Sequence, residues 1–134
     1  MILLDTHALI WMVEGKLDIG PLSRDLANEA LTNGALFVSA ISFWEIALLH
    51  QKNRMERFII PIMIWRRTRL DSGIQEVPVT GDIGTAAAEL QEFHADPADR
   101  FIAATAVLNG LTLITADARI LDWPGQLLRH DARL

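Results

Sequence analysis

Ile2-Leu3-Leu4-Asp5-Thr6-His7-Ala8-Leu9-Ile10-Trp11 opens the chain, and its reading decides the fold. The apolar triplet at 2–4 reads as a short buried strand, and the stretch 6–13 carries apolar residues at helical spacing. The strand ends on an acid and passes directly into a helix. The same alternation recurs along the chain. Further strands are expected at 36–38, 76–79 and 111–114, with a weaker fifth at 126–128. Helical patterns lie at 23–32, 42–52, 62–70, 81–93 and 97–108. Strands that alternate with helices imply crossover connections and a mostly parallel sheet of four to five strands covered on both faces. Pro78 cannot donate to a ladder, so its strand belongs at an edge. Gly34 and Gly110 follow helical segments and suit left-handed caps. With no repeat, low-complexity tract or linker, residues 1–134 read as one domain.

The 134 residues are 51% hydrophobic and 22% charged, a globular balance. Cysteine is absent, which removes disulfides, thiolate metal sites and cysteine nucleophiles and makes an intracellular, cytoplasmic protein the default. Asp5 interrupts the first apolar run too early for a signal peptide. The run 58–65 contains Pro61 and is far short of the roughly 20 residues a spanning helix needs, so no membrane segment is expected. Twelve basic against 17 acidic residues give a net charge of −5. That argues against a protein that coats nucleic acid by electrostatics. It does not exclude a nuclease, because a site built from carboxylates stays acidic until a cation fills it.

Ligands of parallel α/β sheets bind beyond the carboxyl ends of the strands, so the residues that follow each strand carry the chemistry. Asp5 follows the first strand and Asp117 the fourth; Glu45 opens the helix after the second, and Asp99 opens the helix at 97–108. Each has a structural alternative. Ser42-Phe43-Trp44-Glu45 fits a capping box. Asp96-Pro97-Ala98-Asp99 fits an N-cap, a first-turn proline and an acid favoured by the helix dipole. Asp117 suits the cap of a short helix. Asp5 has no such task, since Thr6 is the better cap. Together, four carboxylates on one rim repel each other, so raised pKa values are expected unless cations sit between them. Oxygen donors of this kind select Mg²⁺ or Mn²⁺, and such ions activate water for hydrolysis of a phosphodiester.

The quoted residues 3–11 resemble the opening of PIN-domain proteins, and of VapC-type toxins among them. Ser39-Ala40-Ile41-Ser42-Phe43-Trp44-Glu45-Ile46-Ala47 is similar to the second motif of that family. His94-Ala95-Asp96-Pro97-Ala98-Asp99-Arg100-Phe101-Ile102 resembles the third, and Leu113-Ile114-Thr115-Ala116-Asp117 the fourth. The resemblance implies a three-layer α/β/α sandwich and an Mg²⁺-dependent endoribonuclease, the toxin of a toxin–antitoxin pair, with an antitoxin as partner and a homodimer as assembly. It assigns Asp5, Glu45, Asp99 and Asp117 to the metal, with Thr6 and Thr115 as hydroxyls near it and Ser42 orienting the Glu45 turn. Cleavage by water leaves 5′-phosphate and 3′-hydroxyl ends.

Other residues divide between site and scaffold. His94 fits a hydrogen bond to a carboxylate or to turn backbone better than a ligand role, and His50 and His130 read as solvent-facing. Arg100, next to Asp99, is either a phosphate contact or a salt bridge to Asp96 or Asp122. Lys52, Arg54, Arg57, Arg66, Arg67 and Arg69 cluster as a solvated face or an RNA-backbone contact. Trp11, Trp44 and Trp65 read as core or interface. The four serines lie in no nucleophile elbow, and no phosphate-cradling glycine loop is present. A phospho-receiver would need paired acids after the first strand and a lysine late in the chain, whereas none follows Lys52. The remaining alternative is a catalytically silent PIN-like interaction module.

Overall fold

The computed structural model describes residues 1–52 and 60–134. Strands β1 (Ile2–Leu4), β2 (Leu36–Ser39), β3 (Gln75–Val77), β4 (Thr112–Thr115) and β5 (Arg129–Asp131) form one sheet in the order β3-β2-β1-β4-β5. Every pairing is parallel. The opening strand is central, with Leu3 in register between Phe37 and Leu113. β3 is at an edge, and Pro78 follows its last residue.

Helices α1 (Thr6–Glu14), α2 (Pro21–Thr32), α3 (Ala40–Gln51), α4 (Ile62–Asp71), α5 (Gly81–Glu89), α6 (Pro97–Asn109) and α7 (Ala118–Leu121) connect the strands. Side chains alternate across the sheet as the strand period requires. Ile2, Leu4, Leu36 and Val38 pack with residues of α1 to α4. Leu3 and Leu113 face the other way, onto Ile102, Ala103 and Ala106 of α6 and Ile120 of α7. Helix α5 packs on α6 through Ile83, Ala87 and Ala104. The result is the expected α/β/α sandwich. Each fully buried aliphatic side chain in these layers contributes about 1.5–3 kcal/mol.

Several boundaries differ from the pattern reading, among them β3, which spans 75–77 rather than 76–79 and leaves Pro78 just outside the strand. The fifth strand is 129–131 rather than 126–128. Leu128 is 62% exposed, and its carbonyl accepts from Leu113 N at 2.8 Å, so the ladder starts there and runs on through polar Arg129-His130-Asp131 of an edge strand. Helix α3 begins at Ala40, because Ser39 rather than Ser42 caps it and accepts from Ile41 N. Helix α5 stops at Glu89, and the chain turns through Glu92 at φ 58°. Gly34 (φ 65°) and Gly110 (φ 62°) take the left-handed conformation expected of them. Among the described residues no helix is long and apolar enough to cross a membrane. Arg54 and Arg57, together with Phe58 and Ile59 of the apolar run, lie outside the described residues.

Candidate active site

The ends of the parallel strands and the N-terminal turns of α3 and α6 bring all four acids to one rim. Asp5, Glu45, Asp99 and Asp117 line a single cleft of about 290 Å³ together with Thr6, His7, Asp96, Arg119 and Arg133. A larger depression of about 670 Å³ lies by α5 and the end of α6, but of the acids only Asp82 and Glu89 line it, so the convergent chemistry belongs to the smaller cleft.

Asp5 leaves β1 as the N-cap of α1, its Oδ1 accepting from Ala8 N at 2.8 Å. This corrects the expectation that Thr6 caps the helix and that Asp5 has no structural task. The reason lies in Thr6: its side chain is buried and engaged across the fold with α3. Thr6 Oγ1 lies 2.9 Å from Ser42 Oγ and donates to Glu45 Oε1. Thr6 has one hydroxyl proton, and an ionised carboxylate can only accept, so Ser42 donates to Thr6. The capping box at Ser42 and Glu45 is therefore absent. Glu45 stands on the second turn of α3, held by a hydroxyl relay from the end of β1.

Asp96 and Pro97 start α6 as expected, with Asp96 Oδ1 accepting from Asp99 N at 3.1 Å. This sets the first turn from which Asp99 reaches the cleft. Its Oδ2 lies 2.7 Å from His94 Nε2, so His94 takes the carboxylate-orienting place expected of it. Asp117 caps α7 by accepting from Arg119 N at 2.8 Å, while Thr115 Oγ1 accepts from Asp117 N.

Charge is distributed unevenly. Burial pushes the Asp5 carboxyl above its ordinary range, partly offset by the Thr115 hydroxyl, the Ala8 N–H and His7, with Asp99 repelling it. Burial likewise raises Glu45 against the hydrogen bond from Thr6, with Asp99 and Asp96 adding repulsion. Asp99 is raised by burial against its bond to His94. Burial thus outweighs the mutual repulsion expected to be the main cause. Asp117 moves down instead, held by hydrogen bonds from the Arg119 side chain. Among the described residues no lysine or arginine forms a salt bridge with Asp5 or Glu45. A buried Asp5 and a half-buried Glu45 without a lysine or arginine partner, beside Asp99 and Asp117, form an oxygen-rich donor set that fits a hard divalent cation. His94, Asp99 and Asp117 also offer atoms within 4.8 Å of one another.

Among the described residues Arg100 forms no salt bridge. Its guanidinium donates to the carbonyls of Phe93, Ala87, His94 and Leu90, closing the turn after α5. Arg66 pairs with Glu76 and Arg69 stacks over Trp65; both serve the scaffold. Trp65 is buried, whereas Trp44 is 51% exposed on a groove that shares Glu45 and Asp96 with the cleft. His50 and His130 are half-buried rather than solvent-facing. The pattern reading missed Arg119 and Arg133. The one available signal was the spacing of Arg119 two residues after Asp117, at the start of a short helix.

The family described as PIN domain matches residues 2–125. Ribonuclease VapC22 of Mycobacterium tuberculosis (strain ATCC 25618 / H37Rv) is 32% identical over 120 residues, covering 89% of this chain and 88% of that protein. Among solved structures, a toxin-antitoxin complex from Klebsiella pneumoniae shares 26% identity at a TM-score of 0.60, over 92% of this chain and 93% of its own. VapBC2 from Rickettsia felis, bound to a DNA fragment from its promoter, shares 18% at a TM-score of 0.62, over 97% and 98% of the two chains; that likeness concerns the fold alone. The motif resemblance thus extends to the whole domain, and the chain belongs to the PIN domain family.

Proposed function

We propose that this chain is an Mg²⁺-dependent endoribonuclease, with Mn²⁺ as substitute, and the toxin of a toxin–antitoxin pair acting in the cytoplasm as a homodimer. The observation that carries the reading is the convergence of Asp5, Glu45, Asp99 and Asp117 in one cleft. The names of two similar proteins, a ribonuclease at 32% identity and a toxin-antitoxin complex at 26%, support the substrate class and the partner.

Asp5, Glu45, Asp99 and Asp117 would hold the cation. When bound, a divalent cation supplies Lewis acidity, lowering the pKa of water and offsetting charge on the leaving oxygen. The chain's own groups prepare the site. Thr6 and Ser42 fix the Glu45 carboxylate, His94 fixes Asp99, and the Thr115 hydroxyl faces Asp5. Asp96 anchors the turn beneath Asp99. Ile60 just before α4 and Met63 and Ile64 on it are exposed while Trp65 turns inward, an apolar surface suited to the antitoxin.

The test is incubation of the purified chain with total cellular RNA in EDTA, Mg²⁺ and Mn²⁺, followed by mapping of the ends. Discrete cuts with 5′-phosphate and 3′-hydroxyl ends in either cation, and none in EDTA, are expected. Cleavage in EDTA overturns the metal reading. A folded chain that cuts nothing in any condition is the silent interaction module instead.

A further inference from the structure

Arg119 stands where a metal site would not be expected to keep a cation of its own. Its Nη2 and Nε lie 2.8 and 3.2 Å from the two Asp117 carboxylate oxygens, and Nη2 lies 3.7 Å from Asp99 Oδ2. The fork therefore spans half of the acidic quartet, although its side chain is 60% exposed. Arg133 lines the same cleft and is tied by Nη1 to the carbonyl of Ala116 at 2.6 Å, one residue before Asp117. Arg100, the arginine nearest Asp99 in sequence, spends its donors on carbonyls.

A guanidinium fork matches a carboxylate and a phosphate equally well. Asp117 cannot give both oxygens to a divalent cation while Arg119 holds them, so cation binding and this ion pair compete. Once the cation neutralises Asp99 and Asp117, Arg119 loses its partner at the mouth of the cleft, where a phosphodiester would lie. Exposure and a two-residue tether to Asp117 leave the side chain free to turn.

We propose that Arg119 is the phosphate-contacting residue of this cleft. It pairs with Asp117 and Asp99 until a divalent cation takes those carboxylates, then binds a non-bridging oxygen of the RNA phosphodiester, with Arg133 flanking it. The inference rests on the nuclease reading above.

Two binding measurements test it without relying on turnover. Calorimetry with Mn²⁺ alone compares the parent, Arg119→Lys and Arg119→Ala. Arg119→Ala should bind Mn²⁺ about two- to fivefold more tightly, the worth of a partly exposed ion pair, with Arg119→Lys between the two. Stopped-flow fluorescence anisotropy with a labelled single-stranded RNA then compares Arg119→Ala with the parent on the binding phase, before cleavage alters the probe. In Mg²⁺ the alanine variant should bind RNA about five- to tenfold more weakly, with a salt slope shallower by about one ion. In EDTA the loss should be smaller, because Arg119 remains engaged with the acids. Unchanged RNA affinity in Mg²⁺, equal losses in Mg²⁺ and EDTA, or weaker Mn²⁺ binding by Arg119→Ala each overturn the proposal. If the parent binds neither Mn²⁺ nor RNA, the nuclease reading fails first; if it binds both and the variant matches it, Arg119 alone is misassigned.

Discussion

His94 Nε2 lies 2.7 Å from Asp99 Oδ2, while the imidazole stacks on Phe93 at a centroid distance of 4.5 Å. The ring is thus clamped on one side and pointed at a carboxylate on the other. An orienting partner of this kind fixes which oxygen a metal-binding acid presents, and losing one costs about 10- to 100-fold in metal affinity or activity. His94→Ala should show a drop of that size in RNA cleavage at fixed Mg²⁺, partly recovered at high Mg²⁺. A variant cleaving at the parent rate would make the contact structural only.

Thr6 is 2% exposed and links Ser42 to Glu45. Thr6→Val keeps the shape and removes the hydroxyl, freeing the Glu45 carboxylate and leaving Ser42 without its acceptor, at about 1–3 kcal/mol. Thr6→Ser restores the relay. Cleavage should fall at least about tenfold in the valine variant and stay near the parent in the serine variant. Equal rates in the two would mean that Glu45 needs no orienting hydroxyl.

Arg100 yields a prediction of the opposite kind. Four carbonyls at the end of α5 and in the following turn accept from its guanidinium, so Arg100→Ala should lower stability by about 2–3 kcal/mol. The salt dependence of RNA binding should not change, since no phosphate contact is lost. Denaturant melts and salt titrations of the folded fraction check both. A reduced salt slope would return Arg100 to the RNA-binding surface.

What the sequence displayed and what it hid follow one division. Strands at 2–4 and 36–38 and the helices around them were legible because apolar period and length reflect burial directly. The four acids were legible because strand ends and the helix N-termini beside them share one rim of a parallel sheet. The polar strand 129–131 has no apolar pattern to read, since its order comes from pairing with β4 and from contacts such as Ser23 Oγ donating to the Asp131 carbonyl. Ser39 and Ser42 both satisfy the chemistry of an N-cap, and only the tertiary partner of Ser42, Thr6, decides between them. The same contact draws Thr6 away from the cap of α1 and leaves that task to Asp5. The tasks of Arg100 and Arg119 depend on which acceptors the fold brings within reach, and no local spacing encodes that.

Asp5 joins cap and site in one side chain, which makes metal-free stability the sharpest test of the quartet. Asp5→Asn keeps an oxygen for Ala8 N but removes a buried charge, whereas Asp5→Ala also loses the cap, worth about 1 kcal/mol. In EDTA near pH 8 the asparagine variant should melt above the parent and above the alanine variant. The pH dependence has a definite sign. Asp5, Glu45 and Asp99 are raised by burial, so the folded state holds their protons longer than the unfolded chain does. Their effect is a loss of stability that begins as pH climbs past the unfolded value near 4 and is complete above the raised values. Asp117, lowered by Arg119, contributes stability present above about pH 4 and lost as pH falls below it, outside that window. Metal-free parent should therefore lose melting temperature between pH 5 and pH 8 relative to the double variant Asp5→Asn with Asp99→Asn, a difference in which shared titrating groups cancel. Mg²⁺ binds the ionised acids of the folded state and should stabilise the parent by about 2.7 kcal/mol at a hundredfold excess over Kd, with little effect on the double variant. Parallel melting curves across that pH range would show that burial of these acids carries no cost, and an equal response of both proteins to Mg²⁺ would place the ion elsewhere.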